Sequence, residues 1–425
     1  MSEAVLHIES VGVRGDGIAH HQGERVFLPF TAPGDVVRAR IGARHGEGRD
    51  GEVLTLVTQG ARAAPRCAHF GTCGGCALQH LSDAAYAEAK LAWLTTALRQ
   101  RGVTAERVHP LRTLAPGTRR RARWAIERPR QAAAPVRIGF HARASHRIVD
   151  MRECAVLHPA LVALVAPLRA LAELLLARGE AGAASATLAD AEIDLLLDLA
   201  APPPLGALEA MATFARTRDL ARLAWRLRDG AVVPVAQHRP VRATFAGVAV
   251  DLSQDGFLQA SAAADQAIAS CVIDSVGDAR RVADLFAGIG TFTFPLAARA
   301  AVHAVEGDAA ALAALRAAAD RAGLAGRIGC ERRDLEARPL APEELARFDA
   351  VVFDPPRAGA AAQSRALAGS KVPRIVAVSC NQATFARDAR ALVDGGYRLA
   401  AVQPIDSFVW SPHLELVARF ERGVS

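Results

Sequence analysis

The sequence predicts a multidomain α/β protein: a small OB-like β-barrel over residues 1–58, a central mixed α/β domain over 59–250, and a doubly wound α/β domain over 251–425. Three observations carry this. A chain of 425 residues exceeds what one hydrophobic core sustains, about 250–300 residues. Its first sixty residues hold short apolar runs broken by glycines, with no helical period. Past Asp251 the pattern changes to short apolar strands, each followed by a helix.

Composition narrows the class. Hydrophobic residues make up 51% and charged residues 22% of the chain, which suits a globular protein with proper cores rather than a disordered one. The most apolar run, Leu161 to Ala177, is interrupted by Pro167, Arg169 and Glu173, so it reads as an amphipathic core helix and not a bilayer span. The opening MSEAVLHIES carries acids and lacks a basic-then-apolar leader, hence the expectation of a cytoplasmic protein. In that compartment clustered cysteines bind metal or catalyse more often than they pair.

The net charge of +7 is unevenly spread. Fourteen arginines stand between Arg99 and Arg152 against Glu106, Glu127 and Asp150, so the remainder of the chain is slightly acidic. TRRRARW (Thr118 to Trp124) is the densest part, and arginine forks grip phosphates and stack on bases. Contact with RNA or DNA is expected there, the plain alternative being a solvated face. Lys90 and Lys371 are the only lysines, which explains arginine in place of lysine but not the clustering.

Taken in order, the barrel comes first. Several strands with glycine-rich turns over Val5 to Val57 give it, and Phe27 and Phe30 are its only candidates for base stacking. CAHFGTCGGC follows, placing Cys67, Cys73 and Cys76 within ten residues. In SDAAYAEAKLAWLTTALRQRG, Ser82 is a fitting N-cap, Leu91, Leu94 and Leu98 repeat at helical spacing, and Gly102 stops the helix. RARWAIE and VRIGFH read as central strands, and APPPLGA (Ala201 to Ala207) as a loop. RVADLF, AVHAVE, FDAVVFD and RIVAVS are the parallel strands of the last domain, closed by an antiparallel pair, YRLAAVQPI and LELVARFE.

Between the first of those strands and its helix lies a glycine-rich turn, Gly288 and Gly290. It lacks the G-x-G-x-x-G of dinucleotide sites and the G-K-[ST] of P-loops. Glu306 ends the second strand, where a carboxylate can accept from both hydroxyls of a ribose. Asp334 follows the third strand and Asp354 ends the fourth, in DPPRAG. The set favours S-adenosylmethionine at the carboxyl edge of the sheet, although each acid singly fits a helix cap or a solvated loop equally well. Cys380 directly follows the strand RIVAVS, with polar neighbours and a helix start behind it, a setting that suits a thiolate of lowered pKa. Cys271 and Cys330 read as buried structural cysteines.

DLFAGIGTF, DPPRAG, SCNQATFARD and SPHLELVARF, in this order, resemble the RNA (uracil-5-)-methyltransferases, and the likeness extends over nearly the whole chain. The barrel resembles a TRAM domain, and the cysteine loop is similar to that of the branch that methylates 23S ribosomal RNA. The resemblance implies a Rossmann-like class I methyltransferase domain in which Cys380 is the nucleophile and Glu415 the base. It places Gln259, Phe286, Thr291, Glu306, Asp334 and Asp354 in the donor pocket. The chain departs from the family pattern at Ser261, Ala287, Val409 and Ser411.

Those residue types suit the chemistry. Uracil C5 is a weak carbon nucleophile until a thiolate adds to C6, after which a base must remove the C5 proton. A paired uracil hides C6, so the base is flipped out.

Cys67, Cys73 and Cys76, with the distant Cys154, make a four-thiolate set. Spacing alone leaves iron–sulfur and zinc open, with His69 and His80 as further zinc ligands. The resemblance implies a four-iron four-sulfur cluster, in a structural or RNA-positioning role. The expected partner is RNA, ribosomal before transfer RNA, and the expected state a monomer. An adenine amino-methyltransferase, a radical enzyme using S-adenosylmethionine and a non-catalytic RNA-binding protein are the competing readings. Arg357 after the prolines, the Cys-x5-Cys-x2-Cys spacing and the presence of both Cys380 and Glu415 argue against them in turn.

Overall fold

Alternating apolar residues curl the N-terminal segment into a closed sheet, in a computed structural model that describes residues 2–228 and 230–422. Ser2–His7 pairs with Val36–His45, and a few residues later Ser10–Val11 pairs with Asp16–His21. One stretch of chain therefore seals both edges of the sheet, and a sealed sheet has no free edge. Leu6, Ile8, Ala19, Val26, Leu28, Val37 and Ala39 fill the small barrel.

The central sheet has seven strands, in the order Ile148–Asp150, Arg137–His141, Arg121–Glu127, Ala181–Ala189, Glu192–Leu199, Arg222–Leu227 and Val233–Gln237. Ala122, Trp124 and Ile126 alternate inward from Arg121–Glu127 and bury against the helix Pro159–Leu175. That helix covers most of the apolar run read from the sequence, with Pro167 inside it. The loop read over Ala201 to Ala207 is shorter than expected, since a helix starts at Leu205.

The C-terminal sheet has eight strands in the order Ile328–Arg332, Ala301–Glu306, Arg281–Leu285, Ala350–Phe353, Arg374–Ser379, Glu415–Arg422, Tyr397–Asp406 and Arg112–Thr113. The first five run parallel, and Glu415–Arg422 runs against both its neighbours. Strand order reverses between Arg281–Leu285 and Ala350–Phe353. A doubly wound sheet opens its ligand crevice at the carboxyl ends of such a pair, which here are Phe286 and Asp354. Helices Ala262–Val276 and Ala309–Arg321 cover one face of this sheet, and helices Asp83–Gln100 and Gln382–Asp394 the other.

Two segments assigned to the central stretch 59–250 pack elsewhere. Helix Asp83–Gln100, capped by Ser82 as expected, buries Leu94 and Leu98 with Leu399, Val402 and Phe420. The chain after it runs along Tyr397–Asp406 as an eighth, edge strand. The hairpin Arg242–Phe245 and Val248–Asp251 likewise buries Ala243, Phe245 and Val250 in the C-terminal core. Burial of these apolar faces, not proximity in sequence, decides where they belong. Among the described residues no helix is long and apolar enough to cross a membrane.

Candidate active site

At the switch point the turn after Arg281–Leu285 is held tightly. Phe286 takes φ 60°, unusual for a bulky side chain. A Cβ on Gly290 would lie 2.5 Å from the Phe294 ring, so only glycine fits there, whereas beside Gly288 the space is open. Glu306 accepts from the Gly288 N–H at 2.8 Å and the Asp308 N–H at 2.7 Å. Thr291 is half-buried in the same turn. Asp334 is exposed and caps its own turn, accepting from the Glu336 and Ala337 N–H groups.

The Gln259 amide donates to Asp354 Oδ2 at 3.2 Å. The central domain holds its loop. Arg120 Nε donates to the Gln259 carbonyl at 3.1 Å, its own N–H donates to Ala260 at 2.9 Å, and Arg121 donates to the Leu258 carbonyl at 3.0 Å. Arg120 is itself buried against Asp265, 2.5 Å away, and Ser261 caps the following helix. Within TRRRARW, the stretch expected to contact RNA, Arg120 is internal, whereas Arg123 pairs with Asp198 at 2.5 Å with its side chain still more than half exposed.

Cys380 stands at the end of Arg374–Ser379, and Asn381 caps the helix Gln382–Asp394 behind it. The Asn381 amide and the Thr384 hydroxyl both donate to the Arg357 carbonyl, tying the DPPRAG loop to this strand end. The Cys380 thiol is pushed up to about 11, by burial first and then by the negative charges of Glu415 and Asp354, with Arg357 acting the other way. The expected lowered pKa is therefore not found, because the sulfur is buried and two carboxylate charges add to the effect of burial. Glu415, first residue of the last strand and 3% exposed, is pushed up to about 8 by burial and by Asp354. Burial pushes Asp354 up to about 7. Glu415 Oε2 is buried without a hydrogen-bond partner.

Cys380 and Arg357 share a cavity of about 470 Å3 with Phe408, Ser411 and His413. Its opposite wall holds Cys67, Cys73, Cys76 and Cys154. Gly75 N–H donates to Cys73 Sγ at 3.4 Å, and burial raises the Cys154 thiol, with the Leu157 and Val156 main-chain amides acting the other way. His69 lines the same cavity. His80 does not: it is 1% exposed, bonded to the Thr31 carbonyl and stacked on Phe70, which removes it from the ligand set. Among the described residues no group of three or more His, Cys, Asp or Glu side chains is gathered closely enough to hold a metal ion. Phe30 packs on Phe70 at 5.2 Å with Arg143 over it, so it serves the cysteine loop rather than a free stacking surface. Cys271 and Cys330 are half-buried, and burial raises both thiols.

Sequence reasoning missed two buried groups. Asp284, fully buried beneath the turn, accepts from Thr293 Oγ1 at 2.5 Å and is pushed up to about 7 by burial. The sign was an acid inside the apolar strand RVADL. Lys90, fully buried, pairs with Asp406 at 2.5 Å and donates to the His413 carbonyl at 2.8 Å. The sign there was a lysine, one of only two, on the helix face shared with Tyr86, Trp93 and Leu94.

No family model matches the sequence. An RNA methyltransferase of Brucella suis, itself uncharacterised, is 41% identical over 98% of both chains. A 23S rRNA (uracil(1939)-C(5))-methyltransferase of Bordetella bronchiseptica is 35% identical over 98% of this chain and 93% of that one. The crystal structure of a Pyrococcus abyssi tRNA (uracil-54, C5)-methyltransferase, bound to S-adenosyl-L-homocysteine, shares the fold with a TM-score of 0.73. It is 22% identical and covers 99% of this chain and 100% of that one.

Proposed function

This chain belongs to the RNA (uracil-5-)-methyltransferase family, and from that premise we propose that it methylates C5 of a uridine in 23S ribosomal RNA through a covalent adduct between Cys380 and uracil C6. The observation that carries the reading is the strand-end thiol of Cys380, opening into a cavity while the buried, protonatable carboxylate of Glu415 bears on it from the sheet side.

The donor turn fits S-adenosylmethionine: the space beside Gly288 is open, and Glu306 is aimed into the turn. S-adenosylmethionine supplies the methyl group. With the donor bound, Glu306 would accept from the ribose hydroxyls, Asp334 would meet the adenine edge, and Phe286, Thr291, Gln259 and Asp354 would complete its pocket. The Cys380 sulfur bonds to C6 and makes C5 electron-rich enough to take the methyl group. Glu415 then removes the C5 proton, and the returning electrons expel the sulfur. Arg357, the positive group that favours the thiolate, offsets the two carboxylates as the sulfur ionises.

Cys67, Cys73, Cys76 and Cys154 suit a four-iron four-sulfur cluster. All four line one cavity, and four thiolates are a donor set that zinc also accepts; the likeness of the loop to that of the 23S branch favours the cluster. N–H groups also point at two of the sulfurs, as they do around clusters. Held there, such a group would supply a structural cross-link, because uracil methylation by the thiol route transfers no electron. The barrel, read as a TRAM domain, and the outer arginines bind RNA, and the enzyme works as a cytoplasmic monomer.

Incubation with RNA carrying 5-fluorouridine tests the reading. Fluorine cannot leave as a proton does, so a methylated adduct should persist on Cys380 and be found by peptide mass spectrometry. A chain that forms none sinks the proposal. Loss of 5-methyluridine from 23S rather than transfer RNA in a deletion strain assigns the substrate.

A further inference from the structure

Trp410 lies in the turn between the strands Tyr397–Asp406 and Glu415–Arg422, which carries Phe408 and His413 to the cavity and leads into Glu415. Its main chain is engaged on both sides by segments far away in sequence. The Ala77 and Leu78 N–H groups, directly after Cys76, donate to the Trp410 carbonyl at 2.9 and 3.1 Å. The Trp410 N–H donates to Tyr86 Oη at 2.9 Å. Tyr86 in turn donates to Asp406 at 2.6 Å, and Lys90 joins Asp406 to the His413 carbonyl. Arg66, one residue before Cys67, lies 5.7 Å over the indole.

Trp410 also has φ 59°, a left-handed conformation that a bulky side chain holds only where its surroundings impose it. Here the imposing groups belong to the cysteine loop and to the helix Asp83–Gln100.

We propose that Trp410 is a positioning residue: its main chain ties the cysteine loop and the helix Asp83–Gln100 together to the catalytic turn, so that gathering the four cysteines against that helix places Glu415 and His413 against Cys380. The cluster loop then serves the chemistry by holding the turn, in addition to any contact with RNA. This rests on the reading of Cys380 and Glu415 as the reacting pair.

The test separates the two ideas, because its first readout needs no methyl transfer. Amide hydrogen exchange is followed by mass spectrometry on the full-length protein, prepared without air, together with Tyr86→Phe, Cys76→Ser and the double variant. Tyr86→Phe removes the acceptor of the Trp410 N–H and leaves all four cysteines in place. Exchange across 407–414 should rise while that of Ala301–Glu306 stays unchanged, since local openings report local support. Iron per chain and KM for RNA should hold, and kcat should fall on the order of tenfold to a hundredfold, as expected when a catalytic group is displaced by about 1 Å.

Cys76→Ser should loosen the same segment, and the double variant should be no worse than Cys76→Ser alone, because the Tyr86 hydroxyl and the loop after Cys76 hold the same residue from its two sides and losing either releases it. Unchanged exchange at 407–414 in Tyr86→Phe overturns the proposal. So do effects that simply add in the double variant. If Cys76→Ser loosens the whole donor sheet, Tyr86→Phe decides alone. Failure of the wild-type chain to trap 5-fluorouridine RNA would sink the methylation reading while leaving the exchange result to judge the tie.

Discussion

The two ends of the cavity hold sulfur beside different charges. At one end four thiols line the wall with Phe140, Val149, Met151 and Leu157, and main-chain N–H groups turn toward Cys73 and Cys154. At the other a single thiol faces Arg357 and the charges of two buried carboxylates. Residue type is the same, and the neighbours differ. Burial raises Cys73, Cys76 and Cys154 as it raises Cys380; only at Cys380 do carboxylates add to it, so that sulfur stays protonated until a substrate and a cation change the balance.

The largest expected effect would come from exchanging sulfur for oxygen at each end. Cys380→Ser should abolish both turnover and the 5-fluorouridine adduct while leaving iron per chain intact, whereas Cys154→Ser should lose iron and keep a measurable adduct. Metal analysis beside gel-shift trapping checks both, and the contrast fails if the two variants behave alike.

Glu415→Gln comes next. Removing the base should slow turnover by about 10²–10⁴-fold yet leave the step before it possible, so a covalent complex should build up on ordinary uridine RNA. A variant that turns over slowly with no trapped complex would place the lost step before methyl transfer.

The same substitution should raise stability at alkaline pH. Glu415 has a folded value of about 8, above its ordinary 4.5, so the folded state holds the proton more tightly than the unfolded one. Below pH ~4.5 both states are protonated, and burial of the charge costs nothing. Above pH ~8 both are ionised and the full cost is present. The gain in melting temperature of Glu415→Gln should therefore grow between those limits and level off beyond them. A gain independent of pH would mean that packing, not charge, is responsible.

The smallest effect concerns Arg357. Its charge holds the Cys380 thiol down against the carboxylates, so Arg357→Met should move the pH midpoint of Cys380 alkylation upward, by a unit or less given the exposure of the guanidinium. A midpoint that falls or does not move would remove Arg357 from the activation of the thiol.

Much of this was legible in the chain. The strands RVADLF, AVHAVE, FDAVVFD and RIVAVS form where their apolar runs place them, and a strand-end residue in a doubly wound sheet reaches the carboxyl edge regardless of what else folds around it. Glu306, Asp354 and Cys380 could therefore be placed from position alone. The arginines could not. Arg120 and Arg123 look alike in TRRRARW, yet Arg120, just before the strand, turns inward to Asp265 while Arg123, on it, points out toward Asp198, and neither acid lies nearby in sequence.

By itself, then, the sequence determined the elements and which residues stand at the carboxyl edge of the C-terminal sheet, because periodicity and strand ends are local properties that short-range sterics and burial settle. Only the tertiary structure decided that helix Asp83–Gln100 belongs to the C-terminal sheet, that Cys380 faces Glu415 and Asp354, and that the cysteine loop bonds to Trp410. Those facts depend on which surfaces meet when distant apolar faces are buried together, and charge and hydrogen bonding act across space rather than along the chain.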